Sequence, residues 1–287
     1  MNWHEEVLVF RCAGDELLGI LTQPDEPSDI GVVIVVGGPQ YRVGSHRQFV
    51  LLARRLAEAG HACLRFDHRG LGDSTGQQRD FEHLDQDIAA AIDQMLLRMP
   101  SLKRVVLWGL CDAASAGLLY WHTTRDARLA GMVLVNPWVR SDDLAATVRV
   151  RHYYGQRLLK VDFWKKLLSG KLAVRQSVGE LLGHMGNALA RRRRLNELPG
   201  SFQDRMADAL SSFTGRVLVI LSGEDYTAKE FSLWFSGQPA FTRQQSGSGF
   251  QLEYVADADH TFSSAVWRNN LEAITVRWLK TVPRMPQ

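Results

Sequence analysis

Three residues far apart in the chain have the types and positions that nucleophilic acyl chemistry needs: Cys111, Asp225 and His260. Cys111 stands where an apolar run, Val105-Val106-Leu107-Trp108, passes through Gly109-Leu110-Cys111-Asp112-Ala113 into the small residues Ala114-Ser115-Ala116-Gly117. A side chain on a sharp strand-to-helix turn is thrust out at the mouth of a sheet. The residues two positions to either side must then be small, so that strand and helix can pass. Gly109 and Ala113 meet that demand. A helix opening at the nucleophile turns its free N–H groups and positive end toward the thiol, favouring the thiolate and any oxyanion formed beside it. A buried structural cysteine in such a turn looks the same locally, so the wider sequence must decide.

Asp225 follows the apolar run that ends in Leu221-Ser222-Gly223-Glu224, and His260 follows the one ending in Tyr254-Val255, within Asp257-Ala258-Asp259-His260-Thr261-Phe262. The chain order is therefore nucleophile, acid, histidine. In those roles His260 takes the thiol proton and later returns it to the leaving group, while Asp225 fixes the imidazole tautomer and supports its charged form. Oxyanion donors must come from near the turn. The backbone amides of Gly38 and Asp112 are nominated, with the Gln40 side chain as a third donor; Pro39 has no N–H to offer. His46 and Arg47, beside that loop, are candidates for holding a substrate carboxylate or phosphate. Asp112 cuts the other way, because its charge would oppose thiolate formation if it pointed inward.

The elements that must position these residues are legible as alternating strands and helices. Residues 7–12 and 17–22 flank Ala13-Gly14-Asp15-Glu16 as a hairpin, and Gly31 to Val36 is apolar throughout, as in a strand covered on both faces. Phe49, Leu52, Ala53 and Leu56 recur at helical spacing. A strand over 61–66, the turn 67–74 and a helix carrying Leu84, Ile88, Ala91, Ile92 and Met95 follow. Strands are expected over 103–108, 129–135, 216–221 and 250–255, and helices over 112–122, over 231–235 and around Trp267, Leu271, Ile274 and Trp278. Such alternation implies a parallel sheet with right-handed crossovers. Between 139 and 205 the rhythm breaks into helical patches only, so residues 1–138 and 206–287 are expected to form an α/β core and 139–205 a helical lid. Tyr153, Tyr154, Phe163 and Trp164 could line an acyl pocket there or simply pack the lid, and the run 244–249 reads as a loop.

The 287 residues, 45% hydrophobic and 23% charged, suit a globular α/β chain. The net charge of +3 hides a division: residues 140–205 hold 14 Lys and Arg against 6 Asp and Glu, a net of +8 that leaves −5 for the rest. A basic block such as this, with Arg191 to Arg194 in it, suits an anionic ligand or surface, although a solvated helix face is commoner. Cys12, Cys63 and Cys111 lack disulfide or metal-type spacing, so neither a metal nor a cofactor is expected, and free thiols suit a reducing compartment. No basic start leads into an apolar run, and no apolar run nears the roughly 20 residues of a membrane span. The expected location is cytoplasmic.

The turn at Cys111, the segment Phe66-Asp67-His68-Arg69-Gly70-Leu71-Gly72-Asp73-Ser74, and the endings Gly223-Glu224-Asp225 and Asp259-His260-Thr261-Phe262 together resemble the α/β-hydrolase superfamily, nearest its lipase/esterase and serine aminopeptidase-like branch. The resemblance implies an α/β-hydrolase fold: a mostly parallel sheet flanked by helices, with a helical lid insertion. More narrowly, Gly37-Gly38-Pro39-Gln40-Tyr41-Arg42-Val43-Gly44-Ser45-His46-Arg47 and the run from Trp108 to Ala116 resemble the hydrolase 1 family associated with exosortase A systems. That implies a setting in bacterial exopolysaccharide production and protein sorting, not a substrate. Three departures from the superfamily stand out: Cys111 for the usual serine, Val36 where many members have histidine, and Ala113 for the second glycine of the turn. Cys-His-Asp sets on this fold occur in dienelactone-hydrolase-like enzymes, which implies activated acyl groups such as thioesters, lactones or enol esters rather than amides.

Three readings follow. The first is a hydrolase of a small ester or thioester acting through a Cys111 acyl-enzyme. The second is an acyltransferase to a glycan hydroxyl, with the basic insertion suiting an anionic glycan or a coenzyme A moiety. The third is a non-catalytic binding module whose basic segment makes peripheral contact with a membrane or a partner. A nucleic-acid partner is not expected, because no recognition motif accompanies the basic block.

Overall fold

The computed structural model describes residues 2–140, 200–238 and 249–283. The chain divides into two compact units, Met1–Val139 with Arg205–Gln287, and Arg140–Asp204. The lid expected over 139–205, with its aromatic residues and arginine run, lies almost wholly outside the described residues, as does most of the loop 244–249.

The first unit is built on an eight-stranded sheet: β1 (Trp3–Cys12), β2 (Asp15–Pro24), β3 (Ile30–Val35), β4 (Cys63–Phe66), β5 (Arg104–Leu110), β6 (Leu129–Val135), β7 (Arg216–Ser222) and β8 (Phe250–Val255). Their order is β1-β2-β4-β3-β5-β6-β7-β8. β2 runs antiparallel to both β1 and β4, and every other pairing is parallel. The hairpin is longer than expected. Cys12 pairs with Asp15 across a two-residue turn in which Ala13 and Gly14 both take positive φ, the geometry that matches the twist of two paired strands. β3 and β6 are buried at every position, which is why their sequences show no alternation.

Described helices cover the sheet: α1 (Gln48–Glu58), α2 (Asp85–Arg98), α3 (Asp112–Thr124), α4 (Phe202–Ser212), α5 (Tyr226–Ser236) and α6 (Ala265–Leu279). The spaced apolar residues of α1, Phe49, Leu52, Ala53 and Leu56, are all buried, and Phe49 meets Trp108 of β5 edge to face at 5.7 Å. Burying side chains of this size is worth roughly 1.5–3 kcal/mol each, which holds α1 against the central strand. α5 is longer than the expected 231–235 because a carboxylate caps it: Asp225 accepts hydrogen bonds from the N–H groups of Thr227 and Ala228. α4 buries only Met206, Ala209 and Leu210, too short a stripe to stand out in the sequence. No described helix is long and apolar enough to cross a membrane.

The connections determine where chemistry can occur. From β3 the chain moves outward to β4, then crosses back to β5 on the other side of β3. The crevice at such a switch of direction, beyond the carboxyl ends of the strands, is where open α/β sheets bind ligands. Gly37 and Gly38 follow β3, and Cys111 follows β5.

Candidate active site

Cys111 sits between β5 and α3 with φ 62° and ψ −125°, a backbone conformation that L-residues rarely adopt. The neighbouring strand and its exit loop hold it there. The Cys111 N–H donates to the Val135 carbonyl at 2.9 Å, and the Cys111 carbonyl accepts from the Trp138 N–H at 3.2 Å. A Cβ on Gly109 would come within 2.6 Å of the Ala113 carbonyl and the Ala114 nitrogen, so the turn closes only around glycine. The thiol is partly exposed, whereas Cys12 and Cys63 are buried.

Asp225 and His260 converge on it. Asp225 Oδ2 lies 2.8 Å from His260 Nδ1, and the same carboxylate caps α5, so one side chain fixes both the ring and the helix start. With Nδ1 committed to the carboxylate, Nε2 is the ring nitrogen left for the Cys111 thiol, which stands close enough to act on the ring. The Asp225 contact and the Cys111 contact, against an opposing effect of burial, push the His260 pKa up to about 10. The charged imidazolium is therefore the favoured form beside the sulfur.

The supporting framework includes residues that sequence reasoning missed. Asn136, at φ 44° and fully buried, donates from Nδ2 to Ser222 Oγ at 2.7 Å and to the His260 carbonyl at 3.1 Å. Its Oδ1 accepts the Ser222 N–H at 2.8 Å, and Ser222 Oγ donates to the Asp259 carbonyl at 2.9 Å. Asn136 thus ties the ends of β6 and β7 to the histidine loop. Asp259 holds that loop in turn, accepting from the N–H groups of Thr261 and Ser263 and from the Ser263 hydroxyl, and these donors keep its carboxyl below the ordinary range although burial works against them. Gly223 lets the two loops close, because a Cβ there would stand 1.7 Å from the Ala256 carbonyl oxygen.

The turn 67–74 anchors the loop after β3. The Asp67 carboxylate accepts the Arg42 N–H at 2.6 Å, forms an ion pair with the Arg42 guanidinium and accepts the Asp73 N–H at 3.1 Å. Below it, Arg69 and Asp87 make a bidentate pair with their side chains 4% and 0% exposed.

A cavity of about 430 Å³ opens at Cys111, lined by Gly37, Gly38, Pro39, Gln40, Phe49, Phe81, Leu110, Cys111, Asp112, Trp138 and His260. Apart from the triad atoms, Asp112 and the loop after β3, its walls are apolar and aromatic, the usual make-up of a small-molecule site. The nominated oxyanion donors are placed differently from the expectation. The Gly38 N–H donates to Asp112 Oδ2 at 2.9 Å, and the amides of Ala113 and of Asp112 itself also face that carboxyl. The Asp112 side chain therefore points inward. Gln40 lines the cavity, but its Oε1 accepts from the Ser45 N–H and from Gln48 Nε2, each at 3.4 Å. His46 and Arg47 are exposed at positive φ at the start of α1 and do not line the cavity, and the charge of His46 acts on Asp259 instead. Among the described residues no group of three or more His, Cys, Asp or Glu could hold a metal ion.

Comparison with solved structures returns the same fold. An esterase of Pyrococcus furiosus, Pf2001, superposes with a TM-score of 0.65 at 15% identity, covering 98% of this chain and 93% of that one. A dienelactone hydrolase of Anabaena variabilis superposes with a TM-score of 0.63 at 14% identity, covering 99% of this chain and 100% of that one. Est1E of Butyrivibrio proteoclasticus, solved with ferulic acid bound, superposes with a TM-score of 0.61 at 16% identity, covering 96% and 98%. No curated protein matches the sequence. The family model described as serine aminopeptidase, S33, matches residues 29–184, from the start of β3 through the turn at Cys111 and beyond. With more than half its length in that match and an α/β-hydrolase sheet beneath it, the chain belongs to the serine aminopeptidase S33 family of hydrolases.

Proposed function

We propose that the protein hydrolyses a small activated ester or thioester through a covalent acyl-Cys111 intermediate. The observation that carries this reading is the connected set Cys111, His260 and Asp225 at the mouth of an apolar cavity. In the first step the Cys111 sulfur attacks the acyl carbon. Its proton, held on His260, passes to the departing alkoxide or thiolate as the carbon–oxygen or carbon–sulfur bond breaks. In the second step water attacks the thioester, His260 takes the water proton, and the carboxylic acid leaves as the sulfur is regenerated. Ester chemistry is in keeping with the names of the similar folds, an esterase and a dienelactone hydrolase. The resemblance of the 37–47 and 108–116 segments to exosortase A-associated hydrolases favours a role in bacterial exopolysaccharide metabolism.

The test is to mix the protein with nitrophenyl acetate and follow both nitrophenolate release and the intact mass. One acetyl group on the Cys111 peptide is expected; steady turnover with an unmodified Cys111 would overturn the reading. A second result concerns the acid. Asp225 is the largest cause of the raised His260 pKa, so Asp225→Asn removes the main support of the imidazolium. A cationic imidazole favours the nucleophilic form of a neighbouring thiol, so alkylation of Cys111 by iodoacetamide at pH 6 is expected to slow by about tenfold or more in Asp225→Asn. Above about pH 10 the two proteins should converge, since His260 is then neutral in both. Equal alkylation rates at pH 6 would contradict the assigned role.

A further inference from the structure

The residue next to the nucleophile occupies the place where a substrate oxygen has to sit. An acyl-transfer site needs two or more N–H groups converging beside the nucleophile, aimed at the oxygen that turns negative as the tetrahedral intermediate forms. Here the candidates are the amide at the start of α3 and the amide of Gly38 across the crevice. Both already face the carboxyl of Asp112, with the Gly38 N–H 2.9 Å from Oδ2. The second oxygen, Oδ1, is buried without a hydrogen-bond partner. It is pressed against the backbone of Gly37: a Cβ on that residue would lie 2.0 Å from Oδ1. Gly37 is thus the residue that leaves room for this carboxyl. The charge of His68 acts on this carboxyl, but burial drives His68 toward its neutral form.

A carboxylate is a close mimic of the oxyanion such a hole is built to hold. Tethered one residue from the nucleophile, it competes with every incoming carbonyl. Given Cys111 acylation as read above, we propose that Asp112 is an internal occupant of the oxyanion hole, and that acylation waits on this carboxyl leaving the Gly38 amide. The sequence puts the occupant at residue 112, the first residue of α3, and the space for it at residue 37, just past β3, two positions brought together by the pairing of β3 with β5. Burial also pushes the Asp112 carboxyl above the ordinary aspartate range, so charge alone does not hold it in place against a substrate.

The experiment compares the full chain with Asp112→Ala and Asp112→Asn, using nitrophenyl acetate as the probe and reading the rate of the acyl-Cys111 burst at neutral pH. Asp112→Ala empties the hole and leaves both backbone donors in place, so a burst at least tenfold faster than in the unsubstituted protein is expected; a single donor of this kind is typically worth about 10²–10³ in rate. Asp112→Asn keeps an oxygen for the Gly38 N–H but removes the charge, and an increase smaller than that of Asp112→Ala is expected. Thermal unfolding of each variant reports whether it is folded, and Asp112→Asn decides the matter should Asp112→Ala fail to fold. A burst in the unsubstituted protein that is unchanged or slowed in the folded variants overturns the proposal and leaves the acyl-enzyme reading standing. No burst in any of the three proteins removes both.

Discussion

Cys111→Ala is expected to lower turnover of an activated aryl ester by about 10⁶-fold, the scale on which loss of a nucleophile registers in comparable triads. The size of the effect follows from the geometry. His260 is held by Asp225 through Nδ1 and interacts with the Cys111 thiol, the nucleophile that its proton transfer serves. Without sulfur, any remaining rate must come from water activated by His260 in a cavity where the Gly38 N–H is engaged by Asp112. The thiol is partly exposed, and its truncation leaves no large void in the core, so the unfolding temperature should stay close to that of the unsubstituted protein. Steady-state kinetics beside a thermal unfolding curve separates the two quantities. Turnover retained within about tenfold would mean that the chemistry is carried elsewhere.

Asp87→Ala is expected to destabilise the protein by about 3–5 kcal/mol, with its first consequence at the site rather than in the core. Asp87 is fully buried and accepts three donors of Arg69: the backbone N–H at 2.9 Å, Nε at 3.1 Å and Nη2 at 2.7 Å. Removing it strands a guanidinium whose side chain is 4% exposed. A buried charge without its partner costs far more than the pair is worth as a unit. Asp87→Ala combined with Arg69→Met should therefore recover part of the loss. The turn carrying Arg69 also carries Asp67, which holds the Arg42 backbone and so the loop after Gly38. Urea unfolding midpoints of the single and double substitutions test the energetics, and a single-substitution loss below about 1 kcal/mol would contradict it.

The parts of the site that could be read from sequence share one property: each follows a strand. Cys111, Asp225 and His260 follow β5, β7 and β8; burial made β5 and β7 legible as hydrophobic stretches, while β8, only partly buried, shows apolar residues at every second position, Phe250, Leu252 and Tyr254. Their side chains could be placed on one rim without knowing any rotamer. Asn136 could not. Beside Pro137 it looks like an ordinary turn residue, and its partners, Ser222 and the His260 carbonyl, lie 86 and 124 positions away, so its role exists only once the sheet is assembled. Gly38 offers an N–H with no side chain in the way, which is all the sequence tells of it. The acceptor it meets depends on a choice of χ angle at Asp112 that no spacing encodes. The room made by Gly37 is equally invisible in one dimension, since the oxygen that fills it belongs to the first residue of α3. His46 and Arg47 drew notice for their charge and position, but the backbone turns at positive φ there and leaves them at the surface.

The shared carboxylate of Asp225 has a further consequence. Because the oxygen that steadies the ring of His260 also closes the first turn of α5, the reactive state of the sulfur is wired to the fraying of a helix end. Helix ends loosen at temperatures well below those that dissolve a core. Warming should therefore quieten this thiol while the sheet beneath it is still intact, making the reagent that labels Cys111 a thermometer for a single turn of backbone.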